Sequence, residues 1–192
     1  YSYTSLSVIG FFMITLLFTY SRAGYLALVL GFIYYFAKTQ RKIFVTFILV
    51  TLFIASLILL PRQEGEGVRL ERIASIDQRI TNYKQTVEII IDNALLGVGY
   101  NFICAERLMR YGGDSESNSC SGSDSSLLFV VATTGLLGFI VYINLLAFIY
   151  KSAGNNHILK SIYLSIFVHS MFSNTLFYTP IVGLILTITS TN

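Results

Sequence analysis

The sequence predicts an all-α protein, a polytopic bundle of about six transmembrane helices with one large outer loop that contains an amphipathic helix. Of its residues 54% are hydrophobic and only 12% are charged, whereas soluble domains average about 25% charged residues. Residues 43–60 and 127–150 contain no acidic or basic side chain, and about 20 apolar residues cross a bilayer as a helix. All ten acidic residues fall in a single polar insert, residues 61–125.

Residues 1–60 are predicted to form three spans. Residues 4–37 are apolar except for the interruption at 20–24, and one helix over this stretch would be about 50 Å long. Because an arginine in mid-bilayer costs several kcal/mol, we expect two spans joined by a tight turn at Arg22. A single long tilted helix with Arg22 in a wet cavity is the alternative. The third span is Ile43–Leu60, and since the chain opens inside an apolar stretch we expect it to be a piece of a longer protein.

Residues 126–192 are predicted to add two to three spans, Ser126–Tyr150, Ser161–Tyr178 and Pro180–Ile188. The short loops at 38–42 and 151–160 carry basic residues and no acidic ones. The positive-inside rule therefore assigns both loops to the cytoplasm. The insert 61–125 and the turn at Arg22 then lie on the opposite, outer face.

Within the insert, apolar residues at three- and four-residue steps predict an amphipathic helix of about four turns that ends at Asp92-Asn93: Ile76, Ile80, Tyr83, Val87, Ile90 and Ile91. Gly97-Val98-Gly99 is predicted to be a turn. Cys104 and Cys120 share the outer loop, where an oxidising compartment favours a disulfide worth about 3 kcal/mol. Two free thiols are the alternative.

The sequence contains no zinc, nucleotide or serine-hydrolase motif, so neither a metal nor another cofactor is expected. Basic residues of the outer face suit a phosphate or diphosphate, because the guanidinium fork binds two oxygens at once. Arg72 and Arg79 are seven residues apart and share one helix face, and Arg22 interrupts an apolar stretch. Three other arginines of the insert, Arg69, Arg107 and Arg110, are expected to reach lipid phosphates instead.

Two further residues could carry chemistry. Asp124 precedes the span at Ser126, where it could accept a proton from a sugar hydroxyl or cap the helix together with its serine neighbours. His169 lies in an apolar stretch near Ser170 and Ser173. Ionisable groups within a membrane are functional candidates, although an imidazole bonded to a neighbouring helix is the alternative.

Three segments resemble the O-antigen polymerase and O-antigen ligase family. Thr19–Gly24 resembles its "SRG/SRA" element. Arg79-Ile80-x-x-Tyr83, followed by Asn93–Asn101, resembles its arginine, aromatic and "PLLGVGxGxF" stretch. Ser123–Leu128, followed by Thr134–Gly138, resembles its "HNxxLxxLxxxGLLG" segment. The segments occur in the family's order around one outer loop.

The resemblance implies a metal-independent glycosyltransferase that takes a glycan from undecaprenyl diphosphate on the outer face of the inner membrane. The insert would be periplasmic, the bilayer and the lipid-linked glycan would be partners, and a chain-length regulator is a further candidate partner. No nucleic acid is expected. By motif, Arg22 and Arg79 would hold the diphosphate, with Arg72, Lys84, Tyr83 and His169 as further substrate-binding candidates.

Asp124 stands where ligases of this family carry histidine. This departure favours a polymerase that joins repeat units of O-antigen, capsule or exopolysaccharide, and makes Asp124 and Arg79 the catalytic candidates. A ligase that transfers the glycan to lipid A core or protein is the alternative. A transporter or flippase for a lipid-linked sugar is the second alternative.

Overall fold

The computed structural model describes residues 3–39, 51, 73–112, 120 and 122–190. Within these ranges the chain is all-helical, as predicted. The predicted span Ile43–Leu60 and the candidate Arg72 lie outside the described residues. The helices are α1 (Tyr3–Phe18), α2 (Arg22–Thr39), α3 (Ile73–Asp92), α4 (Ile103–Tyr111), α5 (Ser126–Ser152), α6 (His157–Ser170) and α7 (Thr179–Ser190), with a 3₁₀ helix at Thr175–Phe177 between the last two.

The break between α1 and α2 falls at the predicted turn. Tyr20 has a positive φ of 50°, and the Ser21 hydroxyl accepts a hydrogen bond from the Gly24 amide at 3.2 Å. A side-chain oxygen that accepts from the backbone amide three residues later is a common N-cap of a helix. The single long helix considered as an alternative is therefore not formed.

Helix α2 packs along α6 in antiparallel fashion. The Ser165 hydroxyl donates to the Ala27 carbonyl at 3.0 Å, while Gly31 lies against both Ser165 and the Ser161 carbonyl. Later residues of α2 thus meet earlier residues of α6. Both helices rise by 1.5 Å per residue, so five residues before Ala27 correspond to five residues after Ser165. Arg22 therefore lies at the end of the bundle where α6 terminates at Ser170.

By length and hydropathy, α5 is the one helix of the described ranges that could cross a membrane by itself. The structure thus contains one clear span candidate, whereas about six spans were predicted. The predicted stretch Ser161–Tyr178 is not one helix, because α6 ends at Ser170. Short polar side chains follow in a turn, and the chain resumes as the 3₁₀ helix and then α7, which has Pro180 in its first turn, where proline is well tolerated.

Helix α5 is broken at Gly135, whose backbone has φ 65° and ψ −169°. The loop that follows α3 fills the break. The amides of Val98 and Gly99 donate to the carbonyls of Ala132 and Thr133, both at 2.9 Å. In return, the Leu136 amide donates to the Ala94 carbonyl at 2.8 Å and the Leu137 amide to the Leu95 carbonyl at 3.4 Å. The backbone groups left unpaired by the break are satisfied by the loop.

We call this contact between the loop, residues 94–99, and the break in α5, residues 132–137, the crossing. Two glycines make it possible. A Cβ on Gly97 (φ +68°) would collide with the Thr133 backbone and lie 2.6 Å from the Gly135 amide. A Cβ on Gly135 would likewise collide with the Leu95 carbonyl and lie 2.5 Å from the Leu96 amide. Real Cβ atoms do not approach backbone so closely, so both positions require glycine. The "LLGVG" and "GLLG" segments of the sequence are the two sides of one contact.

Beneath the crossing lies a small apolar core of Ile103, Phe129 and Ala132. The rings of Phe129 and Phe177 meet edge to face with centroids 5.0 Å apart, and Tyr100 meets Phe129 in the same way at 5.4 Å. Edge-to-face pairs of this kind stabilise beyond their buried area. This core connects α4, the first part of α5 and the 3₁₀ helix.

Candidate functional site

Three candidate site residues of the insert, Arg79, Tyr83 and Asp124, lie where α3 passes the start of α5. The Tyr83 hydroxyl donates to the Asp124 carbonyl oxygen at 3.2 Å. Burial raises the pKa of the Tyr83 phenol, and the Asp124 charge adds to this shift while Arg79 opposes it. Arg79 and Tyr83 are four residues apart on α3 and so share one face of that helix, and Tyr83 contacts Asp124 through its backbone.

Arg79 also reaches the turn that follows α6. Its Nη1 donates to the Phe172 carbonyl oxygen at 3.3 Å, and the Arg79 side chain is exposed. One backbone acceptor leaves most of the five guanidinium N–H donors directed elsewhere. An exposed guanidinium held at one edge is suited to a solvent-borne anion.

The turn itself contains a hydroxyl and imidazole cluster. The His169 Nδ1 lies 2.5 Å from the Thr175 hydroxyl and 3.3 Å from the Ser173 hydroxyl, and these two hydroxyls are 2.7 Å apart. His169 therefore bonds to the turn that follows its own helix and to the first residue of the 3₁₀ helix. Its Nε2 has no hydrogen-bond partner among the described residues and is not among their buried unpartnered atoms. The ring is thus fixed through one nitrogen while the other is accessible.

Ser126 joins this turn to α5. Its hydroxyl donates to the Ser173 carbonyl at 3.0 Å and accepts from the Leu176 amide at 3.3 Å, and the residue is fully buried. The N-cap of α5 is Ser125, whose hydroxyl accepts from the Leu128 amide at 3.5 Å. Because Ser125 caps the helix, the Asp124 carboxylate is not used for that purpose.

Arg107 differs most from its prediction, because it does not reach lipid but is 5% exposed in the protein interior. Nη2 donates to the Thr86 hydroxyl at 2.6 Å and the Asn82 amide oxygen at 3.2 Å. Nη1 donates to the carbonyls of Gly122 at 2.7 Å and Cys120 at 3.4 Å. The planar fork of arginine suits such a set of fixed acceptors. Arg107 thereby ties α3 and α4 to the segment that leads into Asp124.

This arrangement also decides which side of α3 is buried. Its repeat of isoleucine and valine does not form the buried side: Ile76, Ile80, Val87 and Ile91 are exposed. Asn82, Thr86 and Ile89 are buried instead. The inward side must be partly polar because a buried guanidinium needs hydrogen-bond acceptors. Asn82 and Thr86, four residues apart, were the available signal for a buried polar partner.

Cys104 and Cys120 form a disulfide with their Cα atoms 4.6 Å apart. Cys104 lies in α4 and Cys120 precedes Gly122, so the bridge and Arg107 restrain the same short segment. Nearby on the surface, Arg110 pairs with Asp92 and, at 2.5 Å, with Glu106. The Tyr111 hydroxyl donates to Glu88, and this bond raises the tyrosine pKa. Arg110, like Arg107, thus has protein partners.

The remaining candidates are less closely connected. Arg22 is exposed at the start of α2, at the end of the bundle that holds the His169 turn. Lys84 is exposed on α3 beside Tyr83. Over the part of the chain that the structure describes, no three His, Cys, Asp or Glu side chains come together as a metal site.

The described part of the chain is helical, has one helix long and apolar enough to cross a membrane, and gathers basic, hydroxyl and imidazole groups near the start of α5. The chain matches the O-antigen ligase family over residues 6–143, more than two thirds of its length, and it belongs to that family. Members are membrane-embedded, glycosyltransferase-like enzymes of the ligase and polymerase type that use lipid-linked glycans. No curated protein and no solved structure matches the chain significantly.

Proposed function

We propose that the protein is a polymerase that joins oligosaccharide repeat units carried on undecaprenyl diphosphate at the outer face of the inner membrane. The observation that carries the proposal is the grouping of Arg79, Tyr83 and Asp124, in which Tyr83 donates to the Asp124 carbonyl and the exposed Arg79 lies one turn earlier on the same helix. The positive-inside distribution of the short loops supports an outer, periplasmic location for residues 61–125.

In this proposal the donor diphosphate is bound by Arg79 and Arg22, with Arg72 and Lys84 adding positive charge. As the bond between the anomeric carbon and the diphosphate oxygen breaks, negative charge accumulates on the leaving group. Fixed guanidinium groups stabilise that charge more than they stabilise the ground state. This electrostatic assistance needs no metal ion.

The acceptor is a sugar hydroxyl of a second lipid-linked chain. It attacks the anomeric carbon from the face opposite the diphosphate, so the configuration inverts, and its proton passes to the Asp124 carboxylate. In this proposal Tyr83, which contacts Asp124 and shares a helix face with Arg79, binds the sugar. His169 presents its accessible nitrogen from the neighbouring turn as a hydrogen-bond partner for substrate.

Asp124 favours polymerase over ligase, because the family's ligases carry histidine at this position of the motif. A ligase that passes the finished glycan to lipid A core or to a protein is the second candidate. The family's own description, O-antigen ligase, favours it. The two reactions use the same donor and differ in the acceptor.

The test is the glycan ladder of a host that lacks the gene, complemented with full-length wild type, Arg79→Ala, Arg22→Ala or Asp124→Asn. Arg110→Ala is the matched control, since that arginine is bound to Asp92 and Glu106 on the surface. Membrane levels are equalised by immunoblot. We expect wild type and the control to restore long chains and the other variants to leave single repeats.

Polymer stranded on its carrier lipid in the deletion strain would identify a ligase instead. Complete ladders from all the site variants, at equal protein levels, would contradict the assigned site. Asp124→His tests whether residue 124 is the proton acceptor. If residue 124 accepts the proton, imidazole should retain polymer while Asp124→Asn does not, because an amide cannot take up a proton at neutral pH.

A further inference from the structure

The loop between α3 and α4 exposes a pair of large apolar side chains, Leu95 and Leu96, at 67% and 73%. They lie in the polar insert, which the sequence assigns to the aqueous side of the membrane. Yet residues 93–105 contain no acidic or basic side chain. Exposed leucines grouped in this way mark a surface that meets something apolar.

The two leucines are continuous with the exposed side of α5. Leu136, Leu137, Ile140 and Val141 are all exposed on that helix, and the loop is bound directly to it by the backbone hydrogen bonds of Leu136 and Leu137 with Ala94 and Leu95. A helix that crosses a bilayer presents such a row of apolar side chains to lipid. The loop extends that row sideways.

The depth of the loop follows from the length of α5. Lys151, in its last turn, belongs at the cytoplasmic interface. A hydrocarbon core of about 30 Å takes about 20 residues of helix and so reaches back to about residue 131. Gly135 then lies roughly 6 Å inside the outer boundary, and the backbone of Leu95 and Leu96 lies beside it.

A non-helical segment can enter a bilayer only where its backbone groups are paired within the protein. The loop meets that condition where it contacts α5. The Gly97 amide donates to the Asn93 carbonyl at 2.9 Å, the amides of Val98 and Gly99 donate into α5, and the carbonyls of Ala94 and Leu95 accept from it. The amides of Leu95 and Leu96 make no backbone hydrogen bond among the described residues, so the segment has to stay within reach of the headgroups and water at the boundary of the leaflet.

We propose that residues 94–97 form a short re-entrant segment that inserts Leu95 and Leu96 among the acyl chains of the outer leaflet. The partner is the hydrocarbon of the bilayer itself, and the crossing at Gly97 and Gly135 holds the segment there. The insert is then not wholly aqueous, because its middle is anchored in lipid between α3 and α4. This inference rests on the membrane embedding of the family and not on the reaction catalysed.

The chain has no tryptophan, so one introduced indole reports its own surroundings. Leu96→Trp, with Leu95→Trp as the second variant, is reconstituted in phosphatidylglycerol and phosphatidylcholine vesicles whose acyl chains are brominated either near the headgroup or near the methyl end. Val141→Trp, exposed in the middle of α5, is the lipid control. Gln78→Trp, at an exposed polar position of α3, is the aqueous control.

We expect blue-shifted emission from Leu96→Trp, with severalfold stronger quenching by shallow than by deep bromines and little quenching by aqueous iodide. Val141→Trp should respond more to deep bromines, and Gln78→Trp to iodide alone. Iodide quenching of both loop variants to the level of Gln78→Trp would overturn the proposal. So would protection from both quenchers, which would mean that protein covers the leucines. A native elution profile is required of each variant.

Discussion

Gly135→Ala tests the crossing on which the site is built. The backbone of Gly135, at φ 65° and ψ −169°, lies in a region that residues with a Cβ occupy at a cost of about 1–3 kcal/mol. The added methyl would also collide with the Leu95 carbonyl. Alanine can escape the strain only if α5 straightens, which its helix propensity favours by about 1 kcal/mol.

Straightening removes the loop's partners. The amides of Val98 and Gly99 and the carbonyls of Ala94 and Leu95 would lose the acceptors and donors of α5, at about 1 kcal/mol or more for each buried group. The helix regains two of its own bonds. We therefore expect a net loss of about 3–5 kcal/mol in the free energy of unfolding, or roughly 10 °C in Tm at 2–4 °C per kcal/mol for a chain of this size.

Two other glycines serve as controls that distinguish backbone strain from steric collision of the added methyl group. Gly154 has φ +52° and Gly183 lies in α7, and an added Cβ at either meets nothing within 4 Å. Gly154→Ala should cost about 1 kcal/mol for the left-handed backbone alone, and Gly183→Ala should be neutral or slightly stabilising. All variants are compared by thermal unfolding of the purified protein in one detergent.

The double variant Gly97→Ala/Gly135→Ala completes the design. Both substitutions break the same contact, so the double variant should lose little more than either single one, whereas independent sites add. The reasoning is refuted if Gly135→Ala lowers the unfolding temperature no more than Gly154→Ala does. It is also refuted if the losses from Gly97→Ala and Gly135→Ala add fully in the double variant, because the crossing then does not stabilise the fold.

Three further predictions concern the supports of the site. Arg107→Gln should lose about 3–5 kcal/mol of stability, because buried acceptors lose their donor, whereas Arg110→Gln should lose at most about 1 kcal/mol; equal midpoints in denaturant would contradict this. Cys104→Ser should lose about 3 kcal/mol for a bridge over a separation of 16 residues, and reductant should then have no further effect on its Tm. Ser126→Ala should cost about 2 kcal/mol, because it leaves a buried amide and carbonyl unpaired; Ser152→Ala, whose hydroxyl bonds only within its own helix, should be nearly neutral in the same assay.

The helices themselves were largely predictable, because local signals define them. The interruption at Arg22, the uncharged run after Ser126 and the periodicity of α3 each lie within a short window, and the corresponding helices form. The end of α6 at Ser170 was missed. Its cause is not local, since the following turn is held by Ser126 of another helix.

Arg107 illustrates the limit of residue-type reasoning. An arginine near a membrane ordinarily reaches phosphate, and nothing adjacent to Arg107 indicates otherwise. Its partners are on a different helix and in a separate segment, at 25 and 15 residues' separation. Only the fold brings a polar row on α3, the guanidinium and the carbonyls before Asp124 together.

The glycines of the crossing show how motifs acquire meaning in three dimensions. In the sequence Gly97 is a turn residue and Gly135 a minor interruption of an apolar run. In the structure a Cβ on Gly97 would collide with the backbone beside Gly135, and a Cβ on Gly135 would collide with the backbone of Leu95 and Leu96 just before Gly97. Gly135 divides α5 into a first part, whose start carries Ser126 and follows Asp124, and an apolar second part suited to the bilayer. Because the loop after α3 is bound at this division, the helix that carries Arg79 and Tyr83 is held at a fixed position along α5. If the proposed function is right, this constraint has a use, since the headgroup of a lipid diphosphate can move along the membrane surface but not far from it.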